Sequence, residues 1–308
     1  MGRYKIIVNP VSGRGAGNAA VPVVEGLLKE YGVDFDLTRT ERPWHAAELA
    51  QRAAVEGYDN VVAVGGDGTA NEVLNGLMLA RQAGAATDTA MGILCVGRGN
   101  DFAFGMGAPR QLAEGCRVLA SGRRRTVDVG RVMGGLYPQG RYFGNGIGVG
   151  FDAVVGFEAL KMTRLHGFPS YIVAALKTMY LYYRAPLVRV EYDGQAAIQR
   201  LLMVSVMNGR RMGGGFMMAP ESRVDDGLLD LCLAEQVSRA RIFVLIFHFM
   251  RGTQAGKKPI TTGRARRVVV TAVEGVLPAH ADGETLCVDG RELAVDVLPQ
   301  QLQFISPT

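Results

Sequence analysis

The chain has 308 residues, 48% hydrophobic and 20% charged, with 41 glycines and a net charge of +5. This is the make-up of a globular protein with one large domain or two ordinary ones, and it excludes a disordered, collagenous or disulfide-stapled chain. A pI near 9.1 suits anionic small molecules or an anionic membrane surface. No nucleic-acid-binding signature accompanies the charge, so no nucleic acid is expected as a partner.

Residues 4–8 read as a short apolar strand ended by Asn9-Pro10-Val11-Ser12-Gly13. A glycine-rich loop to Gly17 follows, then a helix to about Tyr31. Residues 34–40 read as the next strand, and a helix follows with Ala46, Ala47, Leu49 and Ala50 on its inner face. Residues 60–64 are a β-branched run without room for polar side chains, the mark of a strand buried on both faces. Gly65, Gly66 and Gly68 break it, and a helix starts at Thr69 with Ala70, Val73, Leu74 and Leu77 in one stripe. A further buried strand at 90–96, a loop at 97–101 and a helix at 109–121 complete a βαβαβαβ alternation. That order predicts an open, doubly wound parallel sheet, whose ligands lie beyond the carboxyl ends of the strands. The loops at 9–13, Thr40, 65–71 and 97–101 all fall on that edge.

The 65–68 turn has a chemistry of its own. Glycines between a buried strand and a helix N-terminus expose backbone N–H groups, and the helix dipole adds to them, so the turn suits a phosphate. Asp67 inside it makes sense beside a phosphate if a magnesium ion or a hydroxyl proton lies between them. The other reading, Asp67 as N-cap of the following helix, stays open at this point.

After Gly122 the helices give way to strands, at 125–132, 142–148, 187–192, 200–207, 228–233, 267–273, 285–288 and 293–305. Their alternation and glycine turns predict an antiparallel β-sandwich. The expected domains are therefore 1–124, α/β, and 125–308, β-sandwich, with the extreme C-terminus a candidate to return to the first. Helical insertions are expected at about 153–183 and 238–250. The second contains the most apolar run, 242–250, which is too short to span a bilayer and reads as core with His248 as a packing residue. Cys95, Cys116, Cys232 and Cys287 show no metal spacing, and the N-terminus shows no signal-peptide apolar region. The expected location is the cytoplasm, with membrane contact at most peripheral.

Several short runs, in this order, carry a resemblance: NPVSG at 9–13, GGDGTANEVLNG at 65–76, GRGNDF at 97–102 and GVGFDA at 148–153. Asn208-Gly209, Gly213-Gly-Gly-Phe216, Ala219-Pro220, DDGLLD at 225–230 and Asp282-Gly283-Glu284 follow. Over nearly its whole length the chain resembles the diacylglycerol kinase catalytic-domain family, which includes sphingosine and ceramide kinases. The resemblance implies an ATP-binding α/β domain, a C-terminal β-sandwich, catalysis in a cleft between them, and phosphorylation of a lipid hydroxyl. Asn9, Pro10, Val11, Ser12, Gly13, Thr40, Gly65, Gly66, Asp67, Gly68, Thr69, Ala70 and Asn71 match the nucleotide positions. Arg98 stands where the family usually has Thr, and Trp44 where a small residue is common. A structural Mg²⁺ is implied at the Asp-Asp-Gly turn, through the Asp226 carboxylate and the backbone carbonyls of Arg223 and Leu228. Read without the resemblance, 225–227 is first of all a hairpin turn.

Phosphoryl transfer to an alcohol needs phosphates held in line, charge neutralised and a proton accepted. The amides at 13–15 and 65–68 suit the first task. Mg²⁺ on Asp67, with Arg14 or Arg98, suits the second. Asp282 and Glu284 match the family's catalytic position, with Asp282 the first candidate base and Glu284 orienting it or sharing the proton. The expected activity is ATP-dependent phosphorylation of a lipid, diacylglycerol giving phosphatidic acid. The alternatives are another acceptor (a sphingoid base, a polyol or NAD) or a nucleotide- and lipid-binding relative without turnover, which Arg98 would support. The apolar and basic residues of 153–183 fit either an anionic membrane surface or packing on the sandwich. Oligomeric state, a homodimer included, stays open.

Overall fold

A computed structural model describes residues 2–85, 88–97, 99–162, 168–181 and 185–307. Its packing divides the chain into two units, Met1–Val127 with Gln300–Thr308, and Asp128–Pro299.

The first unit follows the alternating pattern: β1 (Tyr4–Val8), α1 (Ser12–Glu30), β2 (Phe35–Arg39), α2 (His45–Val55), β3 (Asn60–Gly65), α3 (Asp67–Gln82), β4 (Ala90–Cys95), α4 (Asp101–Gly105) and α5 (Leu112–Ser121). The strands lie parallel in the order β2-β1-β3-β4. The C-terminal strand adds beyond β4, pairing Phe304 with Met91 in parallel. β3 is buried along its whole length, as its β-branched run requires in a sheet covered on both faces. Ile6, Val8, Val62, Val64 and Leu94 pack there with Val24, Leu28 and Leu119 from the helices and with Ile305. Within α1, Gly13, Arg14 and Gly15 are not helical, so the helix proper begins after the glycine loop.

The second unit is antiparallel. β5 (Arg124–Gly134) enters it, followed by β6 (Tyr137–Phe143), β7 (Gly146–Gly150), α6 (Phe151–Leu160), α7 (Phe168–Leu181), β8 (Leu187–Tyr192) and β9 (Gln195–Met207). Then come β10 (Leu229–Glu235), α8 (Arg239–Arg251), β11 (Ile260–Ala265), β12 (Arg267–Glu274), β13 (Leu277–Ala281), β14 (Glu284–Gly290) and β15 (Glu292–Ile305). β9 joins the two layers of the sandwich. Its residues 195–200 pair with β8, and 201–207 pair with β7 and β10. Val204, Val206, Leu229 and Leu231 point into one core with Val188, Val190, Val268, Val270 and Val295. The opposite faces of β9 and β10 carry Met203, Cys232 and Ala234, which a second core of α6, α7 and α8 covers. Both faces of β10 are thus buried, and its sequence shows no polar alternation for that reason.

Two expectations are corrected. The strand expected at 142–148 is interrupted, since Gly144 and Asn145 turn the chain between β6 and β7. The helical insertion at 153–183 is, among the described residues, the pair α6 and α7, on which Lys161 and Lys177 are exposed. Glu158 accepts from Lys161 at 2.7 Å and Lys177 at 2.5 Å, tying α6 to α7, while Arg164 and Arg184 lie outside the described residues. The run 242–250 is not all core: Ile242, Leu245 and Phe249 are buried, but Phe243, Val244, Phe247 and Met250 are exposed. No helix among the described residues is long and apolar enough to cross a membrane.

Candidate active site

At the carboxyl edge of the parallel sheet three loops are locked together. Asn9, directly after β1, donates from Nδ2 to Thr69 Oγ1 at 3.0 Å and accepts the Val11 N–H on Oδ1 at 3.2 Å. One side chain therefore ties the 9–13 loop to the start of α3. The Val96 and Gly97 N–H groups both donate to Gly65 O, at 3.0 and 3.1 Å, joining the ends of β3 and β4. Thr40 comes to the same edge, its N–H donating to Val8 O at 2.8 Å. The glycines are required by closeness. A Cβ on Gly97 would lie 2.4 Å from Gly66 Cα, and one on Gly13 would lie 2.2 Å from Val96 O. Gly13 also has φ of 59°, a conformation that costs glycine little and other residues more.

Asp67 is the first residue of α3, and Gly66 is its N-cap residue. The reading of Asp67 as N-cap of its own helix is therefore replaced by another contact: its Oδ1 accepts the Phe102 N–H at 2.8 Å, holding the first turn of α4. A Cβ on Gly99 would meet its Oδ2 at 2.9 Å, so the GGDGT and GNDF loops meet at this carboxylate. Arg98 lies outside the described residues. Trp44 has φ of 68° at the N-cap of α2, which explains why a small residue, often glycine, suits that position. Glu72 holds this turn, accepting the Trp44 N–H at 2.9 Å and the Ala46 N–H at 3.1 Å. The glutamate of the long glycine motif is thus a helix cap for α2.

In the second unit, the Asp282 carboxylate is buried and accepts three backbone N–H groups. Gly144 donates to Oδ2 at 2.9 Å, and Asn145 and Gly146 donate to Oδ1 at 3.0 Å each. Asn208 holds the same turn from another side, its Nδ2 donating to Gly144 O at 2.8 Å. Three of the acceptor positions of this carboxylate are thus taken by backbone amides. Asp282 therefore anchors the turn between β6 and β7, and the Glu284 side chain is the more exposed of the two carboxylates. Glu284 opens β14 with its side chain 46% exposed, 4.0 Å from the Arg141 guanidinium.

A stability prediction follows. Asp282→Asn would turn an amide donor toward backbone donors, and an unsatisfied buried group costs about 1–3 kcal/mol. Its melting temperature should fall by several degrees, read by calorimetry beside wild type. An unchanged value would show that these three contacts do not hold the turn.

The Asp225-Asp226-Gly227 stretch lies in the long connection between β9 and β10, not in a two-residue hairpin. Asp226 Oδ1 accepts the Leu228 N–H at 3.1 Å, and the Gly227 N–H donates to buried Asp128 Oδ2 at 2.7 Å. Asp230 Oδ1 accepts from Arg264 at 3.0 Å, but its Oδ2 is buried without a hydrogen-bond partner. Ser222 directs its proton elsewhere, to Asn208 O at 2.8 Å. Burial first, and the Asp226 charge after it, raise the Asp230 carboxyl against the lowering effect of Arg264. Excess negative charge with an orphaned oxygen fits a nearby cation. No three His, Cys, Asp or Glu side chains converge as a metal cluster among the described residues. A cation here would therefore rely on one carboxylate, backbone carbonyls such as those of Arg223 and Leu228, and water.

One polar cluster escaped the sequence reading. Asp152, in the GVGFDA run, accepts from Ser205 Oγ at 3.0 Å, and burial pushes its carboxyl up to about 7. His280 on β13 is lowered by burial to about 4. Both side chains occupy space that a Cβ on Gly148 would fill, at 2.5 Å from Asp152 Oδ2 and 2.6 Å from His280 Nε2. The motif marked Asp152, but β7, β9 and β13 bring the three residues together only in the folded sheet.

Comparison with known proteins agrees with this architecture. The diacylglycerol kinase catalytic domain model matches residues 3–132, and the YegS C-terminal NAD kinase beta sandwich-like domain model matches residues 145–306. Diacylglycerol kinase of Mycobacterium tuberculosis (strain ATCC 25618 / H37Rv) is 29% identical over 309 aligned residues, covering 100% of this chain and 96% of that one. A Chromohalobacter salexigens protein named "Probable lipid kinase YegS-like" is 32% identical over 75% of this chain and 71% of its own. Among solved structures, a diacylglycerol kinase from Bacillus anthracis str. Sterne superposes with a TM-score of 0.72 at 22% identity, covering 99% of this chain and 96% of that one. An NAD kinase from Archaeoglobus fulgidus in complex with ATP gives 0.53 at 16% identity, over 98% and 93% of the two chains; both likenesses speak to the fold. The chain belongs to the diacylglycerol kinase family of lipid kinases, with that family's catalytic domain followed by its YegS-type β-sandwich domain.

Proposed function

We propose that this chain transfers the γ-phosphate of ATP to a lipid hydroxyl at an anionic membrane surface, with diacylglycerol as acceptor and phosphatidic acid as product. The observation that carries the reading is the carboxyl edge of the first unit. Three glycine loops touch backbone to backbone at the N-terminus of α3, an arrangement suited to nucleotide phosphates. The names of the curated relatives supply the acceptor class.

The residues divide the work. Amides of the 9–15 and 65–69 loops hold phosphate oxygens, and Asn9 fixes the two loops in register through Thr69. Asp67 is the residue we assign to Mg²⁺, which when bound with ATP neutralises charge on the phosphate oxygens. Glu284 takes the acceptor's hydroxyl proton, and Asp282 positions the turn on which Glu284 stands.

A second Mg²⁺ is assigned a structural place at Asp226. If it binds only the folded chain, it raises stability with metal concentration. EDTA should therefore lower the melting temperature of wild type and barely affect Asp226→Ala. Equal EDTA sensitivity in both would argue against a bound metal at this turn. The activity itself is tested by offering γ-labelled ATP with diacylglycerol, sphingosine, a soluble polyol and NAD as separate acceptors. Label should enter the diacylglycerol product; preferential labelling of NAD or the polyol would replace the reading.

A further inference from the structure

Between Glu235 and Glu274 the chain carries eight Lys and Arg and no Asp or Glu. Elsewhere 26 basic side chains face 29 acidic ones, so this one stretch makes an otherwise acidic protein basic. It contains α8 and the loop after it. α8 buries Ile242, Leu245 and Phe249, yet leaves Phe243, Val244 and Phe247 at 43%, 54% and 60% exposed, with Met250 beside them. Positions 243, 247 and 250 recur at helical spacing and form one stripe. At the N-terminal end of α8, Arg239 Nε donates to Met179 O at 3.2 Å, and its guanidinium lies 5.3 Å from the ring centre of exposed Tyr180 on α7.

The other edge of α8 is cationic. Arg241, His248, Lys257 and Lys258 line a recess of about 550 Å³. Arg241 Nη2 donates to Lys258 O at 2.6 Å, holding the 256–258 loop against the helix. Arg241, Lys257 and Lys258 are all exposed. An apolar stripe bordered by cations, with no acid in the segment, matches a bilayer with anionic headgroups. A second copy docked face to face would set the same cations against each other, which is repulsive.

We propose that α8 and the 256–258 loop form the face by which this chain docks on an anionic bilayer. Phe243, Phe247 and Met250 enter the acyl boundary, while Arg241, Lys257 and Lys258 meet the headgroup phosphates. The inference rests on the reading of the chain as a lipid kinase and names the surface that brings it to its substrate.

Sedimentation with vesicles of phosphatidylcholine, with or without phosphatidylglycerol and with neither nucleotide nor acceptor present, measures docking by itself. Wild type should sediment with the anionic vesicles, less so as salt rises, and stay in solution with the neutral ones. Lys257→Ala with Lys258→Ala should lower the partition coefficient about 25-fold, roughly fivefold for each cation at the surface. Phe243→Ser with Phe247→Ser should abolish binding with the melting temperature unchanged, since both rings are exposed. Both variants should keep wild-type turnover on a dissolved short-chain diacylglycerol. Failure of wild type on that dissolved acceptor would sink the lipid-kinase reading and not the docking face. Vesicle binding unchanged in both variants, or equal on neutral and anionic vesicles, overturns the docking face. So does a concentration-dependent dimer that the phenylalanine substitutions dissolve, or a loss of turnover on the dissolved acceptor in the variants where wild type keeps it.

Discussion

Replacing Asp67 is expected to abolish phosphoryl transfer, and the choice of substitute separates its two contributions. Asp67→Ala removes the acceptor of the Phe102 N–H, so it should lose about 1 kcal/mol of stability as well, the scale of a helix cap. Asp67→Asn retains an oxygen for that N–H but not the charge that would hold Mg²⁺. It should melt close to wild type and still lose at least about 10²-fold in turnover, the scale of a lost electrostatic contact in a transition state. If Asp67→Asn turns over normally, the carboxylate only fastens α4 and the metal belongs elsewhere.

Glu284→Gln is expected to have an effect of similar size by another route. A positioned base contributes about 10²- to 10⁴-fold, and the amide keeps the shape of the side chain while removing the proton acceptor. Because Glu284 is half exposed and its side chain makes, among the described residues, a long contact to Arg141, the melting temperature of the variant should not move. The Michaelis constant for ATP should also stay near wild type, since the substitution is meant to act in the transition state. Asp282→Asn makes a poor substitute for this test, because its amide disrupts a buried turn. Wild-type turnover in Glu284→Gln would return the role of base to another residue.

These two residues also show what the sequence displays and what it hides. Asp67 was legible because a buried strand, a run of glycines and a helical stripe are local patterns. Its contact to Phe102 was not, because it depends on where a loop 35 residues later passes. Asp282 and Glu284 were equally prominent as motif residues. What tells them apart is the trio of amides at 144–146, over a hundred residues upstream in the chain. The parallel half of the fold was readable from its alternating periods. The sandwich was readable only in outline: β13 contains a proline and a histidine, and α8 looked like core although one of its faces is open. A purely apolar run does not say which of its faces the rest of the chain will cover.

Following the phosphate tests lipid phosphorylation itself. Purified chain is incubated with γ-labelled ATP, magnesium and vesicles containing diacylglycerol, and the organic phase is extracted and resolved. Labelled phosphatidic acid should accumulate with time, depend on the wild-type chain, and fall by at least about 10²-fold when Asp67→Asn or Glu284→Gln replaces it. Label that stays in the aqueous phase with wild type, as ATP, inorganic phosphate or a phosphorylated soluble acceptor, would contradict transfer to a lipid hydroxyl.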